Sequence, residues 1–139
     1  MGTQHSFYLV NKEVGWKNIP SNSKYVKLSE KLILQLSDYL LWIKFTRANR
    51  TVTNGLDPYG VSSIDGDNLN EFASLITNLY NLFKLSPETF ELTGDFLANE
   101  EVYEKNEFKK QEVLGQLISL KELIEEAVCM DKKIIHCGI

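Results

Sequence analysis

The feature that most constrains this chain is a pair of long amphipathic runs in its second half. Leu69, Phe72, Leu75, Ile76, Leu79, Leu82 and Phe83 step by three and four between Asn68 and Leu85. Phe108, Val113, Leu117, Leu120, Leu123, Ile124, Ala127 and Val128 do the same between Glu107 and Met130. An α-helix turns every 3.6 residues, so each set falls on one stripe that another element must cover. The spacing predicts two helices packed together. Asp65 or Asp67 supplies the N-cap of the first, and both place negative charge at its positive end. Ser86-Pro87-Glu88 stops that helix and suits one further helical turn. Gly115 inside the second run costs about 1 kcal/mol relative to alanine, which predicts a close helix–helix contact there.

A third apolar run extends from Leu28 to Thr46. Ser29 can cap it, and Leu32, Leu36, Tyr39, Leu40 and Ile43 form a helical stripe. Ile33, Leu34, Leu41, Trp42 and Phe45 widen the stripe to most of the circumference, which predicts a buried helix. Two strands, Lys31–Leu36 and Tyr39–Phe45, are the competing reading. The remaining pieces are short. Ser6 to Val10 is extended, and Glu13 to Ser23 is a loop pinned by Trp16 and Ile19. Arg47 to Asp67 is irregular, with turn signals at Asn54-Gly55, Asp57-Pro58 and Asp65-Gly66, and a short strand within Tyr59–Ile64. Phe90, Leu92 and Phe96 add core material around Gly94, and Ile134 to Ile139 is a terminal strand or docked tail. The expected fold is one domain, 1–139. It is mainly α: a bundle of about three long helices with short extended segments, or an α+β arrangement if those segments pair into a small sheet.

Composition narrows the function. Nineteen acids against 15 bases give a net charge of −4, which disfavours a nucleic-acid binder or a membrane-surface protein. No apolar run approaches the roughly 20 residues of a membrane span. Met1 to Val10 carries no basic stretch followed by an apolar core, so a reducing cytoplasm is the expected setting.

Catalytic and metal constellations do not assemble from the residue types present. Cys129 and Cys137 are spaced C-x7-C with His136 beside the second. A zinc site shows four ligands in paired short spacings, so two free thiols are expected instead. His5 lies in an N-terminus expected to fray. His136 and Cys137 are adjacent, and neighbouring strand residues point to opposite faces, so they make a poor nucleophile–base couple. Asp65-Gly66-Asp67 resembles the opening of a calcium loop, yet position twelve is Ile76 rather than a glutamate. The eight glycines are scattered, with no phosphate-binding loop. No cofactor is called for.

The acidic residues carry the strongest signal. Glu88, Glu91, Asp95, Glu100, Glu101, Glu104 and Glu107 fall within twenty residues, with Lys105 the sole base among them. Such a run is either a solvated face or a docking surface for a basic partner. Tyr103, between Glu101 and Glu104, supplies an aromatic anchor of the kind enriched at interfaces. The Arg47–Asp67 loop contributes Asp57, Tyr59, Asp65 and Asp67 as a second candidate contact.

The segment Tyr59 to Phe72 (YGVSSIDGDNLNEF), the amphipathic run after it, the late leucine-rich run and the tail Lys133 to Ile139 (KIIHCGI) resemble a group of small bacterial immunity proteins. Those proteins accompany polymorphic or contact-dependent growth-inhibition toxins. The resemblance implies a non-enzymatic cytoplasmic protein that binds a cognate toxin domain and blocks its active site. Many such toxins are nucleases with basic clefts, so an acidic inhibitor fits by charge. The partner-binding residues expected from charge and loop position are Asp57, Tyr59, Asp65, Asp67, Asp95, Glu100, Glu101, Tyr103, Glu104 and Glu107. The competing functions are a small adaptor or regulatory subunit, and a hydrolase using carboxylates of the same two regions.

Overall fold

Strands, not helices, organise the first half of the chain. The computed structural model describes residues 4–139. In chain order the elements are β1 (Gln4–Val10), β2 (Tyr25–Ser29), α1 (Glu30–Gln35), α2 (Ser37–Leu40), β3 (Lys44–Arg47), β4 (Val52–Asn54), β5 (Val61–Ile64), α3 (Gly66–Phe83), β6 (Thr89–Leu97), β7 (Val102–Lys109), α4 (Lys110–Cys129) and β8 (Lys133–Cys137). A single 3-10 turn, Trp16–Asn18, interrupts the first loop.

Six strands form one sheet in the order β2-β1-β8-β5-β3-β4, and every pairing is antiparallel. The tail strand β8 therefore lies in the middle, between β1 and β5. The tail continues along the turn before β5: Gly138 N–H donates to the Gly60 carbonyl at 2.7 Å and Ile139 N–H to that of Pro58 at 3.0 Å. A Cβ at Gly138 would overlap the Pro58 carbonyl, so this docking requires glycine.

Alternation within the strands divides the sheet into two faces. Phe7, Leu9, Leu28, Phe45, Ile64 and Ile134 point to one face, where they join residues of all four helices in a single core. Phe72 of α3 meets Phe7 at 6.4 Å and Phe45 at 5.4 Å between ring centroids. α3 and α4 pack against each other over this face. Burying the seven leucines and isoleucines of α3 and α4 (Leu69, Ile76, Leu79, Leu117, Leu120, Leu123 and Ile124) contributes roughly 1.5–3 kcal/mol for each side chain.

The helical bundle expected from sequence is overturned: the chain is an α+β fold with helices on one side of an antiparallel sheet. The main error lies between Leu28 and Thr46. The chain is not one helix there, and it is not the two strands either. Ser29 does cap, its Oγ accepting the Leu32 N–H at 3.2 Å. The helix then breaks at Leu36 (φ −96°, ψ 4°), restarts for four residues, and becomes β3. Leu32, Ile33, Leu36, Leu40 and Ile43 are buried, whereas Leu34, Leu41 and Trp42 face solvent. A wide apolar stripe signals burial but not continuity, and the sheet offers Phe45 a buried pairing that an isolated helix cannot match.

The two clear helices stand close to their expected bounds, with differences at the edges. Leu82 and Val128 are exposed and Leu75 is half-buried. Nothing packs near Gly115, so no close helix contact explains it. Glu107–Lys109 belong to β7 rather than to the last helix. Residues 86–88 form no further helical turn; they lead directly into β6. Asp65 occupies the N-cap position of α3, but its side chain makes no capping hydrogen bond, and Asp67 lies in the first turn.

Candidate partner-binding surface

The acidic segment is a β-hairpin. β6 and β7 pair only with each other, forming an arm separate from the main sheet. Its base is held by apolar stacking: Phe90 lies 5.7 Å from both Phe83 of α3 and Phe108 of β7. Lys31 of α1 packs over the Phe108 ring at 4.6 Å, and its Nζ donates to the Glu107 carbonyl.

The two faces of the arm differ. Rungs Phe90/Phe108 and Leu92/Asn106 turn toward the body, while Glu91/Glu107 and Thr93/Lys105 turn outward. The register shifts between Thr93 and Phe96, a β-bulge that re-aims the tip. Beyond it, Phe96 and Tyr103 form an edge-to-face pair at 5.1 Å, and both are more than half exposed. Phe96, expected in the core, is instead part of the tip, because the bulge removes it from the buried alternation. Glu100 and Glu101 make the turn, and Glu101 adopts a left-handed φ of 54°.

A cleft of about 660 Å³ separates the arm from α1 and α2. Its walls include Leu34 and Gly94, and its acids are Glu30, Asp38, Asp95 and Glu104, against one base, Lys31. Gln35 bridges the gap, donating to the Thr93 carbonyl at 3.0 Å and accepting from Asn106 Nδ2 at 3.0 Å. The side-chain ends of Glu104 and Asn106 lie over Gly94, where a Cβ would push them aside.

The structure brings together Asp95, Glu100, Glu101, Tyr103, Glu104 and Glu107 on this arm and separates them from the loop acids. Asp57 is already engaged. Its Oδ2 lies 3.0 Å from Arg47 Nη1, and its Oδ1 accepts the Tyr59 N–H at 3.1 Å. Tyr59 is exposed in the turn before β5, whereas Asp65 and Asp67 follow the other end of that strand. The loop acids therefore do not form one contact. Sequence reasoning missed Glu30, Asp38 and the exposed Tyr39–Trp42 edge-to-face pair at 5.3 Å. Those residues sat inside the apolar run read as a buried helix, and only the break at Leu36 exposes them.

Sequence reasoning also missed a buried polar pair. His5 is not frayed: it lies in β1, fully buried, with Nδ1 2.8 Å from Nε2 of the equally buried His136 in β8. The rings stack at 5.1 Å. Burial holds both imidazoles below their ordinary range. His136 is pushed down to about 3 by burial first and by neighbouring His5 and Arg47 next, against an opposing pull from Asp57. His5 is lowered by burial, with Glu30 acting in the other direction. Ser62, opposite His136 in the sheet, accepts the Asp57 N–H at 2.7 Å rather than meeting an imidazole, so the cluster lacks a nucleophile–base contact. Cys129 is exposed and Cys137 half-buried, both as free thiols. Burial pushes the Cys137 thiol up. Among the described residues, no group of three or more His, Cys, Asp or Glu side chains is placed to hold a metal ion. No helix among them is long and apolar enough to cross a membrane.

Compared with protein-family models, with curated proteins and with solved structures, the chain gives no match.

Proposed function

We propose that this protein is an immunity protein, non-enzymatic, that binds a cognate bacterial toxin domain and blocks its active site through the acidic arm. The observation that carries the reading is the arm's end. Two exposed aromatic rings, Phe96 and Tyr103, stand beside Asp95, Glu100 and Glu101 on a hairpin projecting from the body. Exposed aromatics in a charged frame are the composition of an interface core with a polar rim. Acidic charge steers toward a basic surface, and a nuclease substrate cleft is one. The adjoining cleft, with Asp38 and Glu104 in its walls, extends the same negative surface inward. The resemblance of Tyr59–Phe72 and Lys133–Ile139 to immunity proteins points the same way.

The test is co-expression with the toxin encoded immediately upstream. The wild-type chain rescues growth and forms a complex. The double reversal Asp95→Lys/Glu101→Lys, at two exposed positions of the arm, loses both while its thermal unfolding stays within about 1 kcal/mol of wild type, because exposed charges contribute little to folding. Absence of rescue by the wild type, or full rescue by the reversed arm, refutes the reading.

A further inference from the structure

β2 is an edge strand, and a short window of its backbone is open. Its register with β1 continues to Lys24, whose carbonyl accepts the Leu9 N–H at 2.9 Å. Residues 24, 26 and 28 therefore turn their backbone groups toward β1, and residues 25, 27 and 29 turn theirs to the free edge. The edge is closed at both ends. Ser29 N–H donates to Gln116 Oε1 of α4 at 2.8 Å, and Ser23 N–H donates to the Pro20 carbonyl at 3.0 Å. Between them, the N–H and C=O groups of Tyr25 and Lys27 have no partner among the described residues.

A groove of about 430 Å³ runs beside this window, between β2 and α4. Its α4 wall is Gln111, Glu112, Gly115, Gln116 and Ser119. Gly115 is exposed, a Cβ there would meet nothing within 4 Å, and its φ is not positive. Neither backbone nor packing within one chain requires glycine at this position. Glu112, the one acid of the groove, has no ion pair among the described residues.

The open window is complementary to itself. With a two-fold axis through Val26, Tyr25 of each chain stands opposite Lys27 of the other. Two rungs of paired hydrogen bonds then use every open group of both chains. An axis through Lys27 would oppose two ammonium groups and set Tyr25 against the occupied Ser29. An axis through Tyr25 would set Lys27 against Ser23, already held in its turn. In the Val26 register Lys27 reaches the Tyr25 ring of the other chain, repeating the contact it makes with its own at 5.7 Å. The next rung on the helix side pairs Leu28 with Lys24 of the second copy. That ammonium, largely exposed in the single chain, enters the groove where Gly115 leaves room and Glu112 supplies the opposite charge.

We propose that β2 pairs antiparallel with β2 of a second copy of this chain, joining the two six-stranded sheets into one with all helices on the same face. The two-fold operator makes the contact isologous and closes the assembly. The inference concerns the free chain and does not depend on the toxin reading.

Sedimentation equilibrium and amide hydrogen exchange of the full chain test it. The wild type is a dimer. Its Tyr25 and Lys27 amides become protected as concentration rises, while the Ser29 amide is protected throughout. Lys27→Pro removes an outward N–H and spares the β1 ladder, as proline does on a free edge, and is monomeric. Gly115→Gln and Glu112→Lys, both at exposed positions, each raise the dissociation constant about tenfold or more by filling the groove or reversing its charge. Val26→Cys/Cys129→Ser forms a disulfide-linked dimer on mild oxidation, because residues opposite each other in a non-hydrogen-bonded rung stand about 4.5 Å apart at Cα. A wild type that is monomeric at every concentration overturns the proposal and leaves Lys27 as a charge that blunts the edge. So does a dimer whose Tyr25 and Lys27 amides exchange freely, or one that Lys27→Pro and Gly115→Gln leave intact. Protection of those amides only on addition of the toxin encoded upstream overturns it too, and gives the edge to that partner.

Discussion

Acidification should weaken this fold through the His5–His136 pair before its carboxylates titrate. An unfolded histidine takes up its proton near pH 6.5. In the fold His136 resists protonation until about pH 3, chiefly because burial penalises the imidazolium. Between those limits the unfolded chain binds one more proton than the native chain at this site. Stability is therefore complete above about pH 6.5 and falls as pH drops toward the folded value, by about 1.4 kcal/mol for each pH unit. From pH 6.5 to pH 5 the expected loss is about 2 kcal/mol from His136 alone. His5 is lowered too and adds to the loss in the same direction. A native stability of about 5–15 kcal/mol makes that a large fraction. The assay is urea unfolding from pH 8 to pH 5, comparing the wild type with His5→Leu/His136→Leu. The double variant removes both titrating rings together and leaves no lone buried imidazole. The wild type loses about 2 kcal/mol or more relative to the variant across that interval, with the loss confined below pH 7. Parallel pH profiles for the two proteins would refute the reasoning, since the pair would then be titrating as it does in the unfolded chain.

Other consequences are more local. Leu117→Ala should cost about 2–5 kcal/mol in chemical unfolding, because Leu117 is fully buried where α4 meets the core; half-buried Leu75→Ala should cost clearly less. Ser29→Ala should lower stability by about 1 kcal/mol through loss of a made cap. Asp67→Ala should cost only about 0.3–1 kcal/mol, the charge–dipole contribution, since Asp67 caps nothing. A larger effect at Asp67 than at Ser29 would reverse that assignment. With a thiol-reactive probe near pH 8, exposed Cys129 should react first and Cys137 more slowly, because burial raises the Cys137 thiol and restricts access; mass spectrometry of peptides after brief labelling reads the order.

The two long helices were legible in residue spacing alone, because a helix closes its hydrogen bonds locally and needs only one stripe covered. Leu69, Phe72, Ile76 and Leu79 on α3, and Val113, Leu117, Leu120 and Ile124 on α4, are buried as that spacing requires. The cap at Ser29 and the acidic segment were also visible as residue types in order. Tertiary structure decided the rest. A strand becomes a strand through a partner distant in the chain: Phe7 pairs with His136, and Ser62 pairs with the same histidine from the other side. Nothing near His5 announces a neighbour 131 positions away, so a residue read as frayed is fully buried. The acidic hairpin hid for a different reason. Glu104 and Asn106 occupy inward positions beside Phe108, facing a cleft rather than a core, and so the period of two carries no apolar signature. Whether a charged segment is a solvated coil or a projecting arm depends on what lies beneath it, and here that is Phe90 stacked between Phe83 and Phe108.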